Sequence, residues 1–283
     1  MAVCIDGKAL AAEIKENLKT DVRNFTERFG RQITLAVVLV GNNPASEVYV
    51  RNKVKAAEFV GIKSLSFTLP ENSEESDVTE LIKNLSDDKS VDGILVQLPL
   101  PKHLSEDKIL SLIPPEKDVD GFTAYNVGNS TLFKDAIVSC TPMGIMYMLN
   151  SIPVPLCGKN AVVIGRSNIV GKPVSMLLLK ENCTVTICHS KTANIKEITK
   201  QADVLVVAIG KPKFVTADMV KDGAVVIDVG INRTESGLCG DVDFDAVKDK
   251  ASYISPVPGG VGPMTIAMLM KNAYLCALRR ENA

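Results

Sequence analysis

The sequence predicts an α/β protein of two domains, each built on a parallel sheet. Three observations carry this. The chain has 283 residues, about two domains' worth. Amphipathic helical stretches alternate with short apolar runs almost from end to end, the pattern of βαβ units. A segment at 151–159, with Pro153, Pro155 and Gly158, separates two such series as a linker would.

In the first series, Ile14, Leu18, Val22 and Phe25 recur at helical spacing and predict a helix over 9–29. Residues 35–40 form a continuous apolar run, which suits a strand buried on both faces. A helix over 45–60 ends at Gly61, a C-cap residue. A strand at 64–69, a helix at 77–85 and a strand at 93–98 follow, the last stopped by Pro99 and Pro101. From 114 to 141 the pattern gives way to a long polar, Gly-containing stretch, the kind of irregular chain that often serves function. Pro142 opens a helix over 143–149. The second series has strands at 161–164, 185–188, 204–209 and 225–229, with a helix over 173–180 joining the first two. Pro263, at the favoured first helical position, opens a final helix from 264 to about 279. Nothing in its sequence decides which domain that helix packs on.

Composition narrows the function. At 46% hydrophobic and 23% charged, the chain is an ordinary globular one that can bury a sizeable core. A net charge of -1, with Lys and Arg spread throughout, gives no field to attract nucleic acid. Cys4, Cys140, Cys157, Cys183, Cys188, Cys239 and Cys276 are scattered and odd in number, and none pairs as C-x-x-C. Neither a disulfide framework nor a metal site is expected, and a reducing compartment is. The first eight residues lack the apolar region of a secretory signal, and the longest apolar runs are strand-sized, so no membrane span or membrane partner is expected.

AVVIGRSNIVGKP (161–173) joins a buried-type strand, a Gly turn and a helix start, where a dinucleotide pyrophosphate would sit. Gly165 and Gly171 remain of the usual G-x-G-x-x-G fingerprint, but Ser167 takes the second glycine's place, so the motif alone is weak. The end of the next strand says more. An NAD site expects an acid about 20 residues past the first glycine. Here Cys188-His189-Ser190-Lys191-Thr192 carries none, and Arg166 follows Gly165. A hydroxyl, an imidazole and cations suit a 2′-phosphate, so NADP is expected over NAD. His189 also reads as an ordinary strand-end residue, and Lys191 as a solvated one.

Tyr49 and Lys53 lie four apart on one helix face, which by itself describes any amphipathic helix with a snorkelling lysine. Three other segments change the weighing. DGILVQLPLP (92–101) ends a buried strand on an amide, Gln97. KDVDGF (117–122) sets Asp118 and Asp120 in a loop. PVPGGVGP (256–263) is rigid and poor in side chains, as close backbone approach to a ligand requires.

With VGNNPASEVYVRNK (40–53), CTP (140–142), AIGKP (208–212), DVGIN (228–232), GDVDF (240–244) and PVPGGVGPMT (256–265), these motifs span nearly the whole chain in one order. The set resembles the bifunctional methylenetetrahydrofolate dehydrogenase/cyclohydrolase family. The resemblance implies a folate-binding catalytic domain over 1–141, completed by the helix 264–283, and a Rossmann-type NADP-binding domain over 142–263, with the active-site cleft between them. It implies that Lys53 is the essential lysine, Tyr49 its aromatic partner, Gln97 the amide that contacts the lysine, and Asp120 the carboxylate that binds the pterin. Leu98, Pro258, Gly259 and Gly260 correspond to positions bordering the substrate. Gly165, Arg166, Ser167, Ser190 and Ile231 correspond to positions contacting NADP, beside Gly171 and His189 of the turn and strand end. Ser139 stands where many members have Pro, and Thr123-Ala124 where many bacterial members have His-Pro.

The family reaction moves a hydride from 5,10-methylenetetrahydrofolate to NADP⁺ and then hydrolyses the methenyl cation to 10-formyltetrahydrofolate. A cytoplasmic homodimer is implied with it. The alternatives are a dehydrogenase without cyclohydrolase activity, against which Lys53 and Gln97 speak, and a silent dinucleotide-binding protein, which need not keep the set Tyr49, Lys53, Gln97 and Asp120. A short-chain dehydrogenase would place its Y-x-x-x-K after the Gly loop, whereas Lys53 precedes Gly165. No G-x-x-x-x-G-K-[ST] loop is present, so no accompanying synthetase is expected.

Overall fold

The structure, a computed structural model, describes residues 1–235 and 237–282. It divides into two compact units. One comprises Met1–Ala11 and Thr141–Thr265; the other is Ala12–Cys140 with the chain from Ile266 onward.

The chain opens with β1 (Val3–Cys4), too short to leave a periodic signal, and α1 (Gly7–Phe29). Ala11, Ile14, Leu18, Val22 and Phe25 of α1 are buried, the stripe their spacing predicts. There follow β2 (Thr34–Val40), α2 (Pro44–Val60), β3 (Lys63–Leu69), α3 (Glu75–Asp87) and β4 (Gly93–Val96). Their sheet has the order β3-β2-β4 and is parallel throughout. All seven residues of the central β2 are buried, as its unbroken apolar run requires. One face of this sheet packs on Val78, Ile82 and Leu85 of α3. The strand β4 stops two residues short of the expected end. Gln97 N–H still donates to Val38 O at 2.8 Å, but Pro99 has no N–H with which to extend the ladder.

The polar stretch is more ordered than its composition implies. Helix α4 (Glu106–Leu110) precedes it, α5 (Ala124–Thr131) lies within it, and α6 (Cys140–Asn150) starts three residues earlier than expected. Thr123 caps α5, its Oγ1 accepting from Asn126 N at 3.4 Å, so the Thr-Ala pair serves as N-cap and first helical residue.

The second series runs β5 (Asn160–Ile164), α7 (Gly171–Lys180), β6 (Thr184–Cys188), α8 (Ile195–Thr199), β7 (Val204–Val207), β8 (Val225–Asp228), β9 (Asn232–Thr234), β10 (Gly237–Cys239), α9 (Phe244–Val247) and β11 (Tyr253–Ile254). The strands form a parallel sheet of order β1-β11-β8-β7-β5-β6, while β9 and β10 make a small antiparallel hairpin. From β5 the chain goes first to β6 on one side and then to β7 on the other. That reversal makes a switch point at the carboxyl ends of β5 and β7, where open α/β sheets bind ligands. Because β1 pairs with β11, residues 1–11 lie with this sheet and not with the N-terminal domain in which the sequence reading placed them.

The last helix, α10, covers Val261–Glu281. By length and composition it could cross a membrane, which corrects the expectation that no segment approaches a span. Its apolarity is spent on packing. Ala267, Met268, Leu269, Met270, Ala273, Cys276 and Ala277 are buried, and the fully buried Asn272 donates to Val119 O and Val138 O. All seven cysteines are free thiols.

Candidate functional site

In the unit around 12–140, α2 carries Tyr49, 37% exposed, and one turn later Lys53, half-buried. Lys53 Nζ donates to Gln97 Oε1 at 2.9 Å. Gln97 in turn donates from Nε2 to Leu98 O at 2.7 Å, which fixes the amide with its oxygen toward the lysine. The odd amide at the end of a buried strand therefore holds an amine in place without adding charge.

KDVDGF divides its work residue by residue. Lys117 is buried and donates to Leu85 O, Ser86 O and Asp88 O, capping the end of α3; burial pushes its pKa down. Asp118 is buried and accepts from Phe122 N, Thr123 N and Asn126 Nδ2, which seats α5. Gly121 has φ 68°, and a Cβ there would lie 2.5 Å from Ile137 O, so only glycine fits the turn. Asp120 remains. Burial pushes its carboxyl up to about 6, the positive charge of Lys53 opposes this, and Asp118 adds to it. The carboxyl has a long contact with Cys140 Sγ, 3.9 Å from Oδ1. Lys53, Gln97 and Asp120 are thus brought together electrostatically and by hydrogen bonding, while Asp118 is structural.

In the unit that carries the six-stranded sheet, Gly165 follows β5 with φ 129°. A Cβ on it would lie 2.3 Å from Ala208 O at the end of β7. Gly171 opens α7 against Gly165, its virtual Cβ 2.3 Å from Gly165 O. Ser167 replaces the missing glycine by bonding: its Oγ accepts from Val170 N and Gly171 N at 3.2 and 3.3 Å, closing the turn at the helix start. At the end of β6, His189 Nδ1 accepts from Lys191 N at 3.2 Å, and His189 N donates to Thr192 Oγ1. Lys191 thereby contributes through its backbone.

Gly165, Arg166, His189 and Ser190 line one cavity of about 290 Å³. Lys211 and Phe214, which the sequence reading did not single out, line it too, with Lys211 Nζ 5.8 Å from the Phe214 ring centre. AIGKP contained the signal: a cation placed just past Gly210 at the end of β7. No acidic residue lines the cavity among the described residues. Two glycines without room for a Cβ, a helix start, the donors Arg166, His189, Ser190 and Lys211 and an apolar wall fit NADP. Ile231 is 45% exposed in the turn after β8. Pro258, Gly259 and Gly260 belong to this same unit. Gly259 has φ 103° and its carbonyl accepts from Lys8 N, and a Cβ on Gly7 would lie 2.0 Å from Gly260 O, so the loop is packed on the start of α1. Among the described residues, no group of three or more His, Cys, Asp or Glu side chains is placed to hold a metal.

Comparison with known proteins identifies the family. Residues 5–120 match the model of the tetrahydrofolate dehydrogenase/cyclohydrolase catalytic domain, and residues 139–281 match that family's NAD(P)-binding domain. The bifunctional protein FolD of Agathobacter rectalis is 58% identical over 273 residues, covering 96% of this chain and 98% of its own. The crystal structure of the bifunctional enzyme FolD from Campylobacter jejuni matches with a TM-score of 0.96 and 51% identity, covering 99% of this chain and 100% of that one. The FolD structure from Trypanosoma brucei, complexed with NADP cofactor and an inhibitor, matches with a TM-score of 0.96 and 39% identity over 100% of this chain and 99% of that one. The chain belongs to the bifunctional tetrahydrofolate dehydrogenase/cyclohydrolase family.

Proposed function

We propose that this chain oxidises 5,10-methylenetetrahydrofolate with NADP⁺ and hydrolyses the methenyl product to 10-formyltetrahydrofolate, with Lys53 moving the protons of hydrolysis. The observation that carries the reading is the Lys53 Nζ to Gln97 Oε1 bond of 2.9 Å, in a unit whose Asp120 feels the charge of that same lysine.

When bound, NADP⁺ supplies the hydride acceptor. Arg166, His189, Ser190 and Lys211 would hold its 2′-phosphate end, and the turn 165–171 would receive the pyrophosphate, with Ile231 as a further contact the family resemblance implies. Asp120 accepts hydrogen bonds from the amino-pyrimidine edge of the pterin, whose N–H donors compensate a carboxylate the fold leaves poorly paired. Tyr49 stacks on the folate ring. Water adds to the methenyl carbon and loses a proton to the Lys53 amine. That proton returns to the ring nitrogen as the carbon–nitrogen bond breaks, the carbinol hydroxyl becomes the formyl carbonyl and its proton leaves to water, so one proton is released overall. Gln97 orients the amine while adding no charge that would compete.

Work on folate one-carbon derivatives as a cytoplasmic homodimer is part of the same reading, supported by kinship with the family. Mixing the protein with methylenetetrahydrofolate and NADP⁺ tests the whole. Methenyl-folate absorbance should rise and then decay faster than in buffer. A rise with uncatalysed decay would leave a dehydrogenase only, and no rise would refute the reading.

A further inference from the structure

Two buried aspartates outside the proposed catalytic set are stacked behind the nucleotide cavity. Asp241 is fully buried, and its carboxylate collects four donors. Oδ2 accepts from Ile209 N at 2.7 Å and Gly210 N at 2.9 Å; Oδ1 accepts from Lys211 N at 2.8 Å and Asn232 Nδ2 at 2.9 Å. Ile209 and Lys211 are cavity-lining residues, and Asn232 follows Ile231. Behind it, Asp228 accepts from Asp241 N and Val242 N at 2.9 Å each and from Gly230 N at 3.0 Å. The chain has been cleared to admit both carboxylates. A Cβ on Gly230 would lie 2.2 Å from Asp241 Oδ1, and one on Gly240 would lie 1.8 Å from Asp228 Oδ2.

We propose that Asp241, braced by Asp228, is a positioning residue of the dehydrogenase step: it ties the turns 209–211 and 230–232 into one wall of the nucleotide site. The proposal rests on the reading that this site takes NADP. A carboxylate is the group that can gather three successive backbone N–H donors on two oxygens, and it holds the loop in the shape from which Lys211 faces the cavity. Being buried and fully occupied by donors, it acts through those turns and not on the ligand.

The test separates positioning from mere folding, because hydrolysis of supplied methenyl-folate needs no nicotinamide and uses Lys53, Gln97 and Asp120. Asp241→Asn turns an acceptor into a donor that faces other donors. Its KM for NADP⁺ should rise about tenfold, the scale of one lost charge-assisted hydrogen bond. Hydrolysis of methenyl-folate without NADP⁺ should stay within about twofold of the parent. An unchanged KM for NADP⁺, or a parallel fall in both activities, overturns the proposal. Should Asn at 241 prevent folding, Asn232→Ala removes one donor from the same carboxylate and leaves the backbone intact. It should raise the KM for NADP⁺ by about threefold with hydrolysis unaltered, and an unchanged KM there overturns the proposal equally. A parent chain that fails to oxidise methylenetetrahydrofolate with NADP⁺ would overturn the reading of the site and the proposal together.

Discussion

Replacing Asp120 with Asn should stabilise the folded protein at pH 8 while weakening its hold on folate. Burial lifts the Asp120 carboxyl from the ordinary 3.8 to about 6, against the favourable charge of Lys53 and with that of Asp118. Roughly 2 pKa units corresponds to about 3 kcal/mol, in order of magnitude, against the ionised folded state. The folded chain binds this proton more tightly than the unfolded chain does. The cost is therefore absent below about pH 4, grows as pH rises through the window from 3.8 to about 6, and is complete above it. Asn carries no charge and escapes the cost.

Thermal unfolding of the parent and of Asp120→Asn between pH 4 and 8 reads this directly. At pH 8 the variant's Tm should exceed the parent's by several degrees, and the two should converge toward pH 4. A parent at least as stable as the variant at pH 8 would refute the reasoning. Binding gives the complementary reading. If pterin N–H donors compensate the carboxylate, folate affinity in the parent should fall as pH drops below about 6. In the variant, affinity should be weaker and flat across that range.

Lys53→Met should lower hydrolysis of methenyl-folate by about 10²-fold or more, the scale of a lost general acid–base, with NADP binding measured by fluorescence unaltered. Arg166→Ala should cost NADP⁺ about tenfold or more in KM and leave NAD⁺ nearly untouched, since only the former carries the phosphate; equal losses for both would remove Arg166 from that role. Gly165→Ala should abolish NADP binding in a titration or destabilise the fold, because its Cβ would sit 2.3 Å from Ala208 O at φ 129°; normal binding would show that the turn does not need glycine there.

What was legible in the sequence was periodic or motif-borne. The apolar run of β2, the stripe of α1 and the Gly turn after β5 all predict their structures within a few residues, because burial on one face or two leaves a pattern. What was not legible depends on single contacts. Strand β1 has two residues and exists through its pairing with β11. Helix α5 is held by Asp118 and Thr123 rather than by an apolar stripe, so its sequence reads as loop. Lys211 lies beside Gly210 in the chain, but only the sheet order β7-β5-β6 brings it to the cavity that Arg166 and Ser190 line. Roles inside KDVDGF were likewise hidden: two carboxylates two residues apart look equivalent until their donors are counted.

That count also says which perturbed group marks a site. Asp120 and Asp228 are both lifted to about 6, and in both burial is the largest cause. By titration alone they are indistinguishable. Asp228, however, already accepts three backbone N–H groups, and each of these pulls its pKa back down. Its burial is compensated within the fold, as expected of a brace. Asp120 has a lysine charge nearby and a thiol at 3.9 Å, which leaves most of its acceptor capacity unused. Asp120 is half-buried, and the desolvation that lifts its carboxyl to about 6 is a cost that few bonds within the fold offset. The cost makes sense if a ligand rich in N–H donors supplies the missing bonds, with the lysine that tempers the charge standing beside the reacting carbon. Residual acceptor capacity, more than the shifted pKa itself, is what separates the carboxylate proposed to bind the pterin from the structural one.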